Sequence, residues 1–303
     1  MLSVLFGVSG AIFFGAADDL GGIAAKFMGS LRTSWIAATL GLLTMIVGFA
    51  LTGGAWSVEA IYWGALSGVS GMLAIIFLYA SLAIGPMSIL SPIGALVAAV
   101  VPVIWDFAVG NTLSPLAYIA LAVALVAVWM IGFAPDQNAV RPSARGLTFA
   151  VLAGMLIGIF MILINEAPDE AGILPLIANR ITQTASLGVA VAAASLVHWM
   201  HKRGKWGHLG KPRADVAVGD TGALNWRKGL PSAMVGGVID AIGNIMILFG
   251  FLSGSLSVVS VLAGLYPAST ILLAALILKE RIATLQYIGL GLAIAAAATL
   301  AVA

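Results

Sequence analysis

The chain has 303 residues, of which 61% are apolar and only 9% are charged, and its formal net charge is +2. Soluble domains carry about 25% charged residues, so this composition excludes a soluble globular enzyme, a nucleic-acid binder and a disordered chain. The absence of cysteine excludes disulfides, thiolate metal sites and cysteine nucleophiles. The class of protein that remains is a polytopic membrane protein.

Ten apolar runs follow one another along the chain, and each is long enough to cross a bilayer as a helix of about 20 residues. None of them alternates between apolar and polar residues as barrel strands would, so the sequence predicts an all-α integral membrane protein. The first run lacks the positive leading residues of a secretory signal, and we expect it to be a retained helix. The predicted spans are 3–27, 33–52, 60–84, 87–106, 115–134, 147–166, 173–200, 231–252, 256–278 and 283–302.

One connection is long, because residues 201–229 form a polar, glycine-rich segment without apolar periodicity that we name the basic loop. Its composition favours a solvated linker, with a docking patch for anionic lipid headgroups as the alternative. Its position between two helices argues against a separate domain. The other connections, such as Thr52-Gly53-Gly54, are mostly short turns.

The two halves of the chain resemble each other, since residues 114–121 match residues 283–290 at an offset of 169. Serine, proline, glycine and tyrosine landmarks agree, although chance similarity between helices rich in leucine, alanine and glycine is the alternative. Five spans per half is an odd number, so the second half must be inserted upside down. The sequence therefore predicts two inverted five-helix repeats, residues 1–140 and 141–303, as in secondary transporters whose substrate site lies near the midplane.

Placing an ionisable side chain inside a membrane span costs about 2.5–3.5 kcal/mol on insertion scales. Each such residue in a predicted span therefore indicates a structural or functional role. Asp18 shares a helix face with small residues, among them Gly7 and Gly21, so we expect it to point into the bundle. One interpretation makes Asp18 a site for a proton or for a substrate ammonium group. The other makes it a structural partner of Arg180 or of backbone donors.

Three further polar residues lie inside predicted spans. Asp240 and Asn244 are four residues apart on one face of the eighth span, beside Gly237 and Ala241. They are candidates for substrate contact on a cavity wall, and an interhelical hydrogen-bond clamp is the alternative. Arg180 is the one arginine that the apolar pattern places inside a predicted span. It could bind a substrate carboxylate bidentately or snorkel to the membrane interface.

Spans four and nine contain helix breakers, Pro92 in the former and Gly264 with Pro267 in the latter. Proline deletes a backbone hydrogen bond and kinks a helix, and backbone groups freed at membrane depth must face protein or a wet cavity. We therefore predict bent, cavity-lining hinges at these positions, with simple packing kinks as the alternative. Tyr79 and Tyr266 are aromatic side chains that we place near the cavity.

Several of these segments resemble the ten-helix EamA form of the drug/metabolite transporter superfamily. Residues 264–300, GLYPASTILLAALILKERIATLQYIGLGLAIAAAATL, are similar to the family's Tyr-Pro helix, Glu-Arg turn and Gln-x-x-Gly helix. Residues 15–26 and 237–246 resemble the Asp-x-x-Gly-Gly segment and the Gly-x-x-Asp helix of a bacterial subgroup. The resemblance covers nearly the whole chain except the basic loop. The chain departs from the family pattern at Asp106 and Asn111, in the turn of the first half, where family members more commonly have an acid followed by threonine.

The resemblance implies two inverted five-helix repeats around a central cavity, in a family whose members move amino acids, nucleotide sugars, drugs and other metabolites. We therefore expect a secondary transporter that moves an amino acid or a similar polar or amphipathic compound by alternating access, in the efflux direction. A flippase for a lipid or a lipid-linked carrier is the alternative. A membrane-embedded enzyme is disfavoured because the sequence has no His/Asp/Glu metal cluster and its three histidines lie in or beside the basic loop.

The expected site has no catalytic residue, no metal and no cofactor other than protons that couple to transport. The expected partners are a small-molecule substrate and membrane lipids, with no nucleic acid, and we expect a monomer or homodimer in the inner (plasma) membrane. The candidate substrate-binding residues are Asp18, Arg180, Asp240, Asn244, Tyr266 and Tyr79, and the candidate hinge residues are Pro92, Gly264 and Pro267.

The lysine and arginine residues are distributed unequally between the two sets of connections. Thirteen of the 14 lie at the odd-numbered loops, and the exception is Arg180, whereas the even-numbered side carries Glu59, Asp106, Asp169 and Glu170. The positive-inside rule makes the odd-numbered loops cytoplasmic. Both termini would then face outward, although many relatives of the family that the chain resembles are drawn with cytoplasmic termini.

We predict that a C-terminal reporter that works only in the cytoplasm is inactive on this protein. The physical reason is that basic loops are retained on the cytoplasmic side during insertion. The same reporter inserted in the basic loop, residues 201–229, is the matched positive control. Strong cytoplasmic activity of the C-terminal fusion would contradict the predicted orientation.

Overall fold

The structure is a computed structural model and describes residues 1–84, 87–132, 143–202, 225–273 and 283–303. Apart from short turns and one 3-10 turn, Asp169–Ala171, these residues are α-helical and contain no strand, which confirms the all-α prediction for the described part. The basic loop from residue 203 to residue 224 lies outside the described residues. The helices are α1 Leu2–Met28, α2 Ser30–Thr52, α3 Val58–Ile84, α4 Met87–Ala108, α5 Pro115–Gly132, α6 Ala144–Asn165, α7 Leu174–Lys202, α8 Trp226–Leu252, α9 Leu256–Ala263, α10 Tyr266–Leu273 and α11 Thr284–Val302.

Seven of the described helices are long and apolar enough to cross a membrane, namely α1, α2, α3, α5, α6, α8 and α11. Two further apolar stretches are shorter, Pro92–Ala108 in α4 and Leu256–Leu272 across α9 and α10. Helix α7 has sufficient length, but Asn179, Arg180 and Gln183 make it less apolar. These helices support a multi-pass membrane protein, and ten full spans remain a prediction.

The helices pack as pairs whose backbones approach closely at small residues. Helix α1 runs along α8, α3 contacts α6 and α7, α2 contacts α7 and α8, α4 contacts α6 and α9, and α5 contacts α11. A Cβ atom at Gly237 of α8 would overlap the backbone of Ala37 in α2, and one at Gly15 of α1 would overlap Ser269 of α10. Glycine therefore sets these crossings, as is common where helices associate within a membrane.

Helix α9 is buried along its whole length and belongs to both main apolar cores. One core joins α9 to α4, α5 and α11, and the other joins α9 to α2, α6, α7 and α8. Because an eight-residue helix has few intrahelical hydrogen bonds of its own, its position depends on these neighbours and on how its ends are capped.

The two ends of the bundle carry opposite charge. The amide of Ala55 donates to the carbonyl of Glu170, which places two acidic turns at one end. At the other end, the amide of Asn225 donates to the carbonyl of Phe27, which joins the start of α8 to the end of α1. In the described residues the first end carries Glu59, Asp106, Glu166, Asp169 and Glu170, and the second carries Lys26, Arg32, Arg145, Lys202, Arg227 and Lys228.

At the acidic end, the carboxylate of Asp106 caps the N-terminus of α9. Its Oδ2 atom accepts from the amide of Ser257 at 2.9 Å, from the Ser257 hydroxyl at 2.6 Å and from the Ser255 hydroxyl at 3.2 Å. Its Oδ1 atom accepts from the Asn111 amide group at 3.0 Å. An acid at a helix N-terminus satisfies free amides and matches the helix dipole, so Asp106 ties α4 to α9.

We predict that Asp106→Ala lowers the free energy of unfolding by roughly 1–3 kcal/mol, because charged hydrogen bonds to the start of α9 are lost. Glu170→Ala is the matched control, since Glu170 is an exposed acid at the same end. Thermal unfolding of both purified variants measures the difference. Equal unfolding temperatures for the two variants would contradict the capping role of Asp106.

Candidate functional site

A cavity of about 310 Å³ lies at the centre of the bundle, at the lower end of the range for small-molecule sites. We name it the central cavity. Most of its wall is apolar and comes from α3, α4 and α6, whereas its polar groups come mainly from α1, α7 and α8. The apolar lining is Phe14, Gly71, Ala74, Ile75, Leu78, Ala95, Ala98, Ala99, Ile157, Phe160, Met161, Ala263 and Gly264, and the polar lining is Asp18, Arg180, Gln183, Asp240, Asn244, Ser260 and Tyr266.

An ion pair between Arg180 of α7 and Asp240 of α8 stands on the polar wall. Nη2 of Arg180 donates to Oδ2 of Asp240, and Nη1 donates to Oε1 of Gln183 at 3.1 Å. The amide group of Asn244 donates to the backbone carbonyl of Asp240 at 2.8 Å and to its Oδ2 atom at 3.3 Å. Asp240 therefore forms an interhelical clamp, the alternative to substrate contact, whereas these bonds of Asn244 lie within α8, and both residues line the central cavity.

Small residues create the space through which Arg180 passes. A Cβ atom at Gly41 of α2 would lie 3.6 Å from Nε of Arg180 and 3.3 Å from the carbonyl of Gly237 in α8. The Arg180 side chain is only 10% exposed, so the alternative in which it snorkels to the membrane interface is wrong. The paired geometry holds the arginine inside the bundle, because a buried charge needs a partner.

Asp18 faces the cavity without such a partner. Its side chain is exposed to the cavity space, and within the described residues it forms no hydrogen bond or ion pair. Its acidic neighbours are Asp240 and Asp19. Arg180, which the sequence offered as a structural partner of Asp18, is paired with Asp240 instead.

The surroundings of the small-residue face of α1 differ along the helix. Gly7 packs against Leu262 of α9, and the carbonyl of Ala11 accepts from the Ser269 hydroxyl of α10 at 3.1 Å. One turn beyond Asp18, a Cβ atom at Gly21 would meet no atom within 4 Å. The face is therefore packed before Asp18 and open after it.

A second cavity, of about 160 Å³, lies on the other side of the same polar groups. We name it the side cavity. It is formed by α1, α2, α7 and α8 towards the basic end, and Thr33 contributes a buried hydroxyl that has no hydrogen-bond partner in the described structure. Both cavities share Ile75 and four polar residues, which together separate them. The shared polar residues are Asp18, Arg180, Gln183 and Asp240.

The predicted hinge residues occupy different local structures. Gly264 ends α9, and a Cβ atom there would lie 3.0 Å from that of Ala99 in α4. Leu265 separates α9 from α10, and Pro267 lies in the first turn of α10, where its missing amide costs no helical hydrogen bond. Helix α4 continues through Pro92, which is buried.

The structure brings together five of the six residues predicted to bind substrate, since Asp18, Arg180, Asp240, Asn244 and Tyr266 all line the central cavity. The side chain of Tyr79 lies outside the described residues.

The sequence analysis missed other lining residues. Gln183 follows Arg180 by three residues on the same helix face, a spacing that could have indicated it. Ser260 has a buried hydroxyl without a described partner, but as one serine among many it gave no signal. Phe14 and Phe160 line the cavity from separate helices, and only folding brings them together.

A bundle of apolar helices around a central cavity with a charged wall is typical of secondary transporters. The chain belongs to the EamA-like transporter family, whose model matches residues 144–302. One solved structure, described as "Crystal structure of protein", is similar over 99% of this chain and 96% of that chain, with a TM-score of 0.71. At 15% identity, that similarity shows the fold alone. No curated protein matches the chain.

We predict that Asp240→Leu lowers the free energy of unfolding by roughly 3 kcal/mol, because it leaves the buried Arg180 guanidinium without its partner. Arg180→Met should cost less, because the Asp240 side chain is 33% exposed and water in the cavity can solvate it. The double variant should lose less than the sum of the two single losses, since no charge is then left unpaired. Arg227→Met, which removes an exposed arginine, is the control. Additive losses in chemical unfolding would contradict the coupling.

Proposed function

We propose that this transporter works by alternating access as a secondary exporter of a small polar or amphipathic metabolite, such as an amino acid, in exchange for protons. The observation that carries the proposal is the unpaired carboxylate of Asp18, which faces both cavities across one polar partition. A carboxylate that binds a proton and a substrate in turn couples their movements. Because proton gradients across cell membranes are directed inward, such an exchange drives the substrate outward.

The partition between the cavities supports alternating access. Arg180 and Asp240 join α7 to α8, and the groups they expose line the central cavity on one side and the side cavity on the other. Rearrangement of this contact would connect the side cavity with the central cavity. The substrate site would then open in turn towards each end of the bundle.

The pairing of helices supports the proposed inverted repeats. The packing of α1 on α8 has a counterpart in that of α6 on α3, and the packing of α2 on α8 has one in that of α7 on α3. The contacts of α1 with α9 and α10 correspond to those of α6 with α4. The fifth helices of the two halves, α5 and α11, pack on each other. Such matched pairs are what two equivalent five-helix units would form.

The size of the central cavity favours a metabolite over a lipid. A volume of about 310 Å³ suits a compound of amino-acid size and is small for a two-chain lipid. The mixed wall, with ionic groups on α7 and α8 and apolar groups on α4 and α6, suits an amphipathic compound. We therefore place the flippase interpretation second.

We predict that Asp18→Asn still exchanges substrate for substrate in proteoliposomes but no longer responds to an imposed pH gradient. The amide of asparagine keeps the shape of the side chain and cannot exchange a proton. Asp19→Asn is the matched control, since Asp19 is the neighbouring acid and does not line either cavity. Normal pH-gradient dependence in Asp18→Asn would contradict the coupling role.

Other charged groups could respond to pH near Asp18, and the controls must account for them. Helices α9, α10 and α11 carry no charged residue in their described ranges. The charged groups on α1 and on the remaining helices packed against it are Asp19, Lys26, Arg32, Asp240, Arg227 and Lys228, and Arg180 reaches the same cavities from α7.

We predict that Pro267→Ala lowers the transport rate while insertion stays normal. Alanine restores a backbone donor at the start of α10, which would let α9 and α10 join into one straighter helix. Pro115→Ala is the control, because Pro115 begins α5 after a loop, so a restored donor there cannot join α5 to a preceding helix. An unchanged rate in Pro267→Ala would reject the hinge role.

A further inference from the structure

We infer that the central cavity selects a monocationic amphipathic compound, whose ammonium or amidinium group binds at Asp18 and whose apolar body lies against α4 and α6. This inference rests on the proposed transport function and narrows its substrate from an amino acid or similar compound to a cationic one, so that zwitterionic amino acids are disfavoured. It follows from which charged side chains of the cavity already have a partner of opposite charge and which one does not.

The charged groups of the cavity leave one negative charge in excess. Asp18, Asp240 and Arg180 are the charged residues on its described lining. Arg180 is bound by Asp240 and by Gln183, so its guanidinium directs two of its donors away from a ligand. The carboxylate of Asp18 has no described partner, and the side cavity brings no further charge to it. A single positive group on the ligand therefore completes the charge balance of a buried site.

An anion or a zwitterion fits this arrangement less well. A ligand carboxylate would have to bind the donors of Arg180 that its contacts with Asp240 and Gln183 leave over, among them Nε, which has no partner in the described structure. Drawing the guanidinium towards such a ligand weakens a buried ion pair, and a second carboxylate near Asp18 and Asp240 would be repelled. A cation meets neither difficulty, because Asp18 accepts it while the Arg180–Asp240 pair stays intact.

The other walls of the cavity suit the apolar part of such a ligand. Phe14 and Phe160 contribute aromatic rings, and Ala95, Ala98 and Ala99 of α4 form a surface of small side chains. Aromatic faces attract cations as well as apolar groups, so they reinforce binding of an amine near Asp18. The buried Ser260 hydroxyl, which has no partner among the described residues, offers one hydrogen bond to a polar substituent.

A panel of three compounds with one skeleton tests the inference. Phenethylamine is phenylalanine without its carboxylate, and 3-phenylpropionate is phenylalanine without its amine. We expect phenethylamine to raise the unfolding temperature of the purified protein in nanodiscs at neutral pH. Phenylalanine and 3-phenylpropionate should bind about tenfold more weakly or worse, because their carboxylates meet like charge.

Two variants locate the interaction. Asp18→Asn should lose about tenfold or more in affinity for phenethylamine, whereas Asp19→Asn should bind it like the unchanged protein, since one charge–charge contact is worth at least that factor in a buried site. Should Asp18→Asn fail to fold, Asp18→Glu keeps the charge and must retain the preference for the amine. Equal affinity in Asp18→Asn and in the unchanged protein overturns the inference.

The same panel separates this inference from the proposed transport. Stronger binding of phenylalanine or of 3-phenylpropionate, or no thermal shift with phenethylamine, overturns the charge class. Counterflow of labelled phenylalanine together with weak amine binding would keep the transport function and reject the inference. Binding of phenethylamine at Asp18 without counterflow of any of the three compounds would keep the charge class and contradict transport.

Discussion

The ion pair between Arg180 and Asp240 is the contact on which the polar centre of the bundle depends. The buried guanidinium of Arg180 needs an acidic partner among the apolar helices, and the pair joins α7 to α8. Gln183 and Asn244 occupy further donors and acceptors of the pair. Because its own charges are matched, the pair leaves Asp18 as the group whose charge a ligand can balance.

Close helix crossings make this arrangement possible. Gly237 brings α8 against α2, and Gly41 leaves room for the arginine between α2 and α8. At the acidic end, Asp106 holds the start of α9, and Gly264 lets the end of that helix approach α4. Helix α9 is thus fixed at its first turn and interrupted just beyond its last. This geometry suits an element that lines a cavity and changes its relation to α10.

The separation of charge between the two ends has a different origin from the charged wall of the cavity. The terminal charges lie where water and lipid headgroups can solvate them, and they concern insertion and orientation. Asp18, Arg180 and Asp240 lie among apolar helices, where unmatched charge is costly, so their mutual arrangement constrains what the cavity can bind. The two sets of charges therefore lie in different surroundings, one at the ends of the bundle and the other among its apolar helices.

The sequence alone determined the all-α membrane class, because apolar runs of spanning length need no partner to be recognised. It also indicated Asp18, Arg180 and Asp240, since an ionisable group inside such a run is conspicuous by its cost. It did not decide which acid pairs with the arginine, because that depends on how α1, α7 and α8 cross. Only the tertiary structure paired Arg180 with Asp240, left Asp18 facing two cavities, and brought Asp106 to the start of α9. These contacts join residues from 60 to 151 positions apart, and sequence spacing carries no information at that range.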